Sequence, residues 1–277
     1  MRTRVAGLAA LLAGVCAAGA AAAVHHRVEH ATLGAWRATF SYDRNDVNTR
    51  PSYSHLRLSV AKGSKQLLDT PVVSSEPGAD HPEPAFGTGP GLFFRDLDGD
   101  GSPELVLELY TGGAHCCYVD QVFDFGSPHP LKVELDLADA GAKVVLARGK
   151  PLLQSADESF AYEFTAYAGS GAPILLLRYL GGRFEDVTRD HVQLVSADAA
   201  RWWRAAQAAI DRKDDARGVF AAWAADEAIL GQAALAKKTL LTYAAGGKLG
   251  GYEAAGWPVG RAYVTKLWTF LAKRGYL

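Results

Sequence analysis

Cysteine and methionine are scarce in this 277-residue chain, with three of the first and one of the second. So few thiols exclude a disulfide-dense secreted scaffold, and no CxxC pair is present to suggest a zinc ribbon or a thioredoxin-like redox centre. GxSxG, P-loop and Rossmann glycine patterns are missing, which removes the common signatures of hydrolases, NTPases and dinucleotide-binding enzymes. Long apolar runs are missing after residue 23, so no helical membrane span is expected in the remaining chain. An overall excess of positive charge is missing too, with 29 Lys+Arg against 30 Asp+Glu. No basic run marks a nucleic-acid partner, and none is expected.

The chain does begin with a recognisable leader. Arg2 and Arg4 precede an uncharged stretch from Val5 to Ala20, and Ala21–Ala23 supply small residues for cleavage. Residues 1–23 are expected to be a secretory signal peptide, with a retained anchor as the alternative. The mature chain would then keep Cys116 and Cys117 and work outside the cytoplasm, secreted or in the cell envelope. Its charge is uneven. Residues 24–200 hold 15 basic and 24 acidic side chains, whereas residues 201–277 hold 12 and 6. Two parts with different surfaces are implied: a β-rich part over 24–195 and a helical part over 196–277.

The patterning agrees with that division. Trp36, Ala38, Phe40 and Tyr42, then Leu56, Leu58 and Val60, alternate with period two, the mark of half-buried strands. The polar DRNDVNTRPSYS between them is expected to be a loop, Val73–Gly91 a long surface loop, and the residues just after the leader an unstructured tail. Further strands are expected at Glu104–Tyr110, Tyr118–Phe125, Leu131–Leu137, Ala142–Ala147, Ser159–Tyr167, Ile174–Tyr179 and Phe184–Thr188. Beyond Ser196, an expected N-cap, helices fit to about residue 212 and over 214–230, 232–245 and 259–274. Glycines at Gly231, Gly246–Gly247 and Gly275 stand where these helices should stop, and Pro258 suits the first turn of the last one. Trp202, Trp203, Trp223 and Trp268 are expected to pack a helical core. The fold class is therefore α+β, with antiparallel blade-like sheets or a sandwich followed by a small helical part.

One segment repeats. Aligning Pro103 with Pro173 sets FRDLDGDGSPELVLEL over FTAYAGSGAPILLLRY. The glycine–proline–apolar frame is shared, and a weaker copy surrounds Pro151. The acids are not shared: Asp96, Asp98, Asp100 and Glu104 become Ala166, Ala168, Ser170 and Ile174. The frame therefore serves a turn feeding a strand, and the acids serve something added to it. Asp96, Asp98, Asp100 and Glu104 occupy positions 1, 3, 5 and 9 of a glycine-rich loop, with the Ser102 carbonyl at position 7. Crowded carboxylates of this kind suit Ca²⁺, a hard ion that takes oxygen ligands in a flexible cage. An EF-hand is excluded, since its twelfth position, here Leu107, must be acidic. FRDLDGDGSPELVL resembles the calcium loop of FG-GAP/VCBS-type repeats, found in integrin-like β-propellers and many secreted bacterial proteins. The resemblance covers about 16 residues and implies Asp96, Asp98, Asp100 and Glu104 as ligands, with Ser102 through its backbone. Residues 24–192 are too few for a closed propeller, which needs at least about four blades of four strands.

Immediately beyond lies YTGGAHCC. The adjacent thiols of Cys116 and Cys117 are expected to form a vicinal disulfide, as oxidising compartments favour. Two buried thiols, a metal site with His115, and a reactive thiol with His115 as base are the alternatives. HRVEH, residues 26–30, spells a zinc-peptidase motif but lacks the helical pattern that motif needs. Cleavage of the leader would also place His25 or His26 third from a free amine, a copper-chelating arrangement. The function expected from the sequence is a secreted, Ca²⁺-stabilised binding or adhesion module for an extracellular protein, peptide or glycan, and not an enzyme. An enzyme using the His115–Cys116–Cys117 corner and a structural envelope protein are the alternatives.

Overall fold

The computed structural model describes residues 24–47, 50–82, 91–126, 129–250 and 256–277. The expected leader, and residues 83–90 of the expected long loop, lie outside the described residues. Among the described residues, twelve strands form three antiparallel sheets of four, each wound as a simple meander. The first contains β1 (Val24–Leu33), β2 (Trp36–Val47), β3 (Arg50–Lys62) and β4 (Lys65–Pro71). β5 (Leu92–Arg95), β6 (Glu104–Tyr110), β7 (Tyr118–Asp124) and β8 (Leu131–Asp136) make the second. The third holds β9 (Lys143–Ala147), β10 (Lys150–Ala156), β11 (Ile174–Tyr179) and β12 (Phe184–Asp186), also in chain order. The described residues then hold four α-helices: α1 (Val192–Arg212), α2 (Arg217–Ile229), α3 (Ala233–Ala245) and α4 (Gly260–Lys273). This is the α+β arrangement of blade-like sheets without a closed barrel.

The sheets stack in layers. In the first, Phe40 opposes Leu58 and Ala38 opposes Val60, and all four side chains are buried. They pack on Leu105, Leu107 and Leu109 of β6. The opposite face of the second sheet, through Val106 and Val122, meets Tyr179 of the third. Covered on both sides, β7 is buried throughout and β6 everywhere but Tyr110. Leu105–Leu107 of β6 is the apolar run that a strand buried on two faces requires, whereas β7 is buried with Asp120, Gln121 and Asp124 among its residues. β11 alternates in turn: Leu175 and Leu177 face the second sheet, while Ile174 and Leu176 face Val195 of α1. The turn-and-strand frame of the repeat holds, since Pro103 directly precedes β6 and Pro173 directly precedes β11.

Several expectations are corrected. The residues after the expected leader are no loose tail: β1 begins at Val24 and pairs along its length with β2. HRVEH therefore lies on an extended strand, not on the helix a zinc peptidase needs. The polar stretch after Tyr42 also continues the hairpin, in register as far as Val47 opposite Arg50. Backbone pairing needs no apolar side chains, so a polar segment can continue the ladder. Ser159–Tyr167 is not a strand but two short 3₁₀ turns, Glu158–Phe160 and Tyr167–Gly169. Asp157 caps the first of them by accepting from the Ser159 amide, and the turns carry Phe160 and Phe164 into the helical core. Ser196 caps nothing. α1 starts at Val192, so the expected 195/196 boundary falls inside the helix. Its early start lets Val195 reach the third sheet. Pro258 stands before α4, which begins at Gly260. The carbonyls of Trp257 and Pro258 accept instead from Arg217, at 3.2 and 2.8 Å.

The helical part has its own core around Phe220, Leu240, Tyr263 and Leu267, with Trp202, Trp203 and Trp268 packed partly buried at its edge and Trp223 buried within it. Arg217 is fully buried there and is paired with Asp215 at 2.7 Å; Asp215 also accepts from Thr165. α2 lies close against the second 3₁₀ turn. A Cβ on Gly218 would collide with the Gly169 carbonyl oxygen and stand 2.7 Å from Thr165 Cγ2. Gly218→Ala is therefore expected to destabilise by about 1–3 kcal/mol, read as a lower urea midpoint at unchanged slope.

Asp226 is fully buried beside Asp198. Burial, then the Asp198 charge, pushes its carboxyl up to about 9, whereas an unfolded chain ionises it near pH 4. Rising pH between those values drains protons from the unfolded state first and so costs the folded state stability. Asp226→Asn is expected to flatten the fall in unfolding free energy between pH 5 and 8. The gain at pH 8 relative to pH 5 should exceed about 1.4 kcal/mol, one unit of pKa displacement, and urea titrations at the two pH values measure it.

Candidate metal centre and the adjoining corner

The acidic loop spans the turn from β5 to β6. Gly99 and Gly101 both take positive φ, 83° and 89°, which glycine adopts without steric cost. The turn then folds its own carboxylates onto its amides. Asp96 accepts from the Gly99 and Gly101 amides at 2.7 and 3.1 Å. Asp98 accepts from Asp100 at 3.1 Å, and Asp100 from Ser102 at 2.6 Å. Glu104, 1% exposed at the start of β6, accepts from the Leu97 amide at 2.6 Å. The result brings carboxylate oxygens of Asp96, Asp98 and Glu104 within 4.8 Å of one another. Asp100 does not join that group, and its Oδ1 is turned to the Ser102 amide.

Electrostatics disfavour charge on two of the three, Glu104 and Asp98. Burial raises the Glu104 carboxyl to about 8, with the Asp98 and Asp124 charges adding to it. Burial also raises Asp98, reinforced by Asp100, Asp124 and Asp96. Every side-chain donor here is oxygen, so the residues fit a hard divalent cation and offer nothing to a thiophilic one. Leu107, at position twelve, is buried in the core, which disposes of EF-hand geometry.

Asp124 was not foreseen. It ends β7, one step beyond the Leu105–Phe123 pair in the ladder and so across from Glu104. It accepts from the Gly126 amide at 2.7 Å and from the Tyr179 hydroxyl at 3.2 Å. The only hint of it in the chain is an acid at the end of an apolar strand, and that hint means nothing until the register is known.

At the far end of β6 the chain turns through Thr111–Cys117. Thr111 holds this corner: its amide donates to the Cys117 carbonyl at 3.1 Å, and its hydroxyl accepts from the Cys117 amide at 2.6 Å. The Tyr110 hydroxyl donates to the Gly113 carbonyl. Gly112, at φ 73°, leaves no room for a side chain against the His81 ring. The Cys116 and Cys117 sulfurs meet one another. His115 is exposed, its ring 3.9 Å from that of Tyr167 and 6.3 Å from that of Tyr162. The Tyr167 hydroxyl donates to Asp139, and the Tyr162 carbonyl accepts from the Trp257 indole at 2.9 Å. Tyr162, Tyr167 and Asp139 come from segments whose role was invisible in sequence, because the first two were expected on a strand. The acidic loop and this corner thus occupy opposite ends of one buried strand.

No family model matches the chain, and no solved structure matches it. A curated protein of Synechocystis sp., described as a "Probable thylakoid lumen protein", is 28% identical over 191 aligned residues, covering 62% of this chain and 52% of the relative. The chain thus spans about half the length of the curated relative it matches.

Proposed function

We propose that the chain is an extracytoplasmic module whose β-rich part is tied by Ca²⁺ and which acts by binding, with no chemistry of its own. The convergence of Asp96, Asp98 and Glu104 at a two-glycine turn carries this reading. Asp100 and the Ser102 carbonyl complete the ligand set that the FG-GAP/VCBS-like spelling implies, and Asp124 adds charge behind it. Calcium bound there would neutralise carboxylates that otherwise repel each other, and would fix the turn leading into β6. A location outside the cytoplasm is supported by the leader and by the lumenal name of the Synechocystis relative. No described helix is long and apolar enough to cross a membrane. The partner would be an extracellular protein, peptide or glycan.

Cys116 and Cys117 are assigned as a vicinal disulfide closing the corner, which leaves His115 without a thiolate partner. The enzyme alternative requires a free thiol at the same place.

Thermal unfolding with excess Ca²⁺ and with chelator tests the first assignment. Saturation at about a hundredfold over Kd corresponds to ~2.7 kcal/mol, or roughly 5–10 °C for a chain of this size. A variant carrying Asp98→Ala and Asp100→Ala is expected to lose that rise, and an equal rise in the variant would sink the calcium assignment. For the corner, the native protein is expected to take up no iodoacetamide until it is reduced, as mass spectrometry would show. Labelling without reductant would restore the thiol enzyme as the better reading.

A further inference from the structure

Neither α3 nor α4 contains an acidic residue. Across residues 233–277 seven lysines and arginines stand against one acid, Glu253. Surface helices ordinarily mix the two signs, since acid–base neighbours three or four residues apart stabilise them. A surface of one sign repels itself instead. Along the chain these cations are scattered among alanines, and the fold gathers them.

Two grooves flank α4. In the first, of about 530 Å³, Lys237 and Lys238 of α3 meet Arg261 of α4 over Ala234, Leu241 and Ala245. The second, of about 590 Å³, is lined by Lys266, Lys273 and Arg274 beside Phe270 and Glu163. Of these six cations Lys266 alone is ion-paired among the described residues, to Glu163 at 2.8 Å. Lys237 lies over the Trp268 ring at 5.4 Å and Arg274 over Phe270 at 5.5 Å. Between the grooves runs the exposed ridge of α4, with Arg261, Thr265, Thr269 and Lys273. Its 14 residues extend the charged face over about 20 Å.

That face selects an anion, and its shape selects among anions. A single small ion would use one groove and leave the other cations unmatched. A bilayer is held by an exposed apolar face as well as by charge, and the α4 ridge is arginine, threonine and lysine. Single-stranded nucleic acid needs open aromatic faces for its bases, whereas Trp268 and Phe270 already carry cations. An acidic peptide would meet no strand edge to pair with between these helices. A polysaccharide with an acid group on successive sugars needs none of these. Its charges repeat along an extended chain, and its C–H surfaces suit the alanine and leucine floor of the first groove.

We propose that, within the extracytoplasmic binding role on which this rests, the α3–α4 face binds a linear polysaccharide carrying carboxylate or sulfate groups. The surface lies on the helical part and does not use the calcium loop.

Surface plasmon resonance of the full chain over immobilised heparin and hyaluronan tests this, in Ca²⁺ and again in chelator. Neutral dextran, polyglutamate, single-stranded DNA and phosphatidylglycerol vesicles are the counter-probes. Saturable binding to at least one acidic glycan is expected, and none to dextran. Affinity should fall about tenfold or more between roughly 50 and 200 mM salt, as screened charge contacts require. Lys237→Gln, Lys238→Gln and Arg261→Gln combined should weaken binding about a hundredfold, roughly a factor of five for each cation facing an anionic surface. A matched triple of exposed sheet cations, Lys65→Gln, Lys143→Gln and Arg183→Gln, removes the same charge and should change affinity less than about twofold. Binding that persists in chelator would uphold the surface even if the calcium assignment fails, whereas binding that needs Ca²⁺ would move the glycan to the metal loop and overturn it. No binding to either acidic glycan, equal loss in the two triples, or tighter binding to vesicles, polyglutamate or DNA would also overturn the proposal.

Discussion

The second sheet is covered on both faces, and most of the architecture follows from that burial. A sheet flanked by two others must be apolar on both sides, so any polar group on β6 or β7 needs a reason. Glu104 and Asp124 have one at the rim, where the acidic turn gathers. Glu108 and Asp120 face one another in the middle of the same ladder, both buried. The Thr111–Cys117 corner closes the opposite end with backbone hydrogen bonds to a single threonine. Three features that look unrelated along the chain are therefore consecutive stations on one ladder.

The flanking layers divide the remaining work. The first sheet offers one apolar face to β6 and exposes the other, which explains its clean alternation. The third sheet is again buried on two sides, but its outer cover is helical. Phe160 and Phe164 belong to the chain between β10 and β11, yet they sit in the helical core. The helical part is thus joined to the sheets by shared packing, with α2 seated on a 3₁₀ turn through a glycine and α1 reaching the third sheet through Val195. The buried Arg217–Asp215 pair and its carbonyl partners hold that junction from within. Breaking one member of such a pair would strand the other as an uncompensated charge.

Patterning in the chain was enough for the fold class, for most strands and helices, and for the acidic loop. Period two in β2 and β3, apolar runs in β6 and β11, and glycines after α2, α3 and α4 are local signals, and local physics answers them. Misreadings fell where tertiary contacts outweighed local preference. Ser159–Tyr167 has the aromatics of a strand, but its phenylalanines are claimed by the helices. Ser196 is a good cap by type, but the turn before it carries the helix further back. β1 and the ends of the first hairpin are mostly polar, and backbone pairing recruited them together with side-chain hydrogen bonds such as Tyr42 to Glu29.

The sequence by itself determined what each segment could be: a carboxylate-rich turn, a pair of neighbouring thiols, a strand, a helix. It did so because turn geometry, side-chain period and ligand chemistry act over a few residues. Only the tertiary structure decided what those segments would face. Register across β6 and β7 set Asp124 beside the acidic turn and Asp120 opposite Glu108, and the stacking of three sheets sealed both pairs from water. Strand pairing and layer packing join residues far apart in the chain, and no short-range pattern encodes which of them will meet.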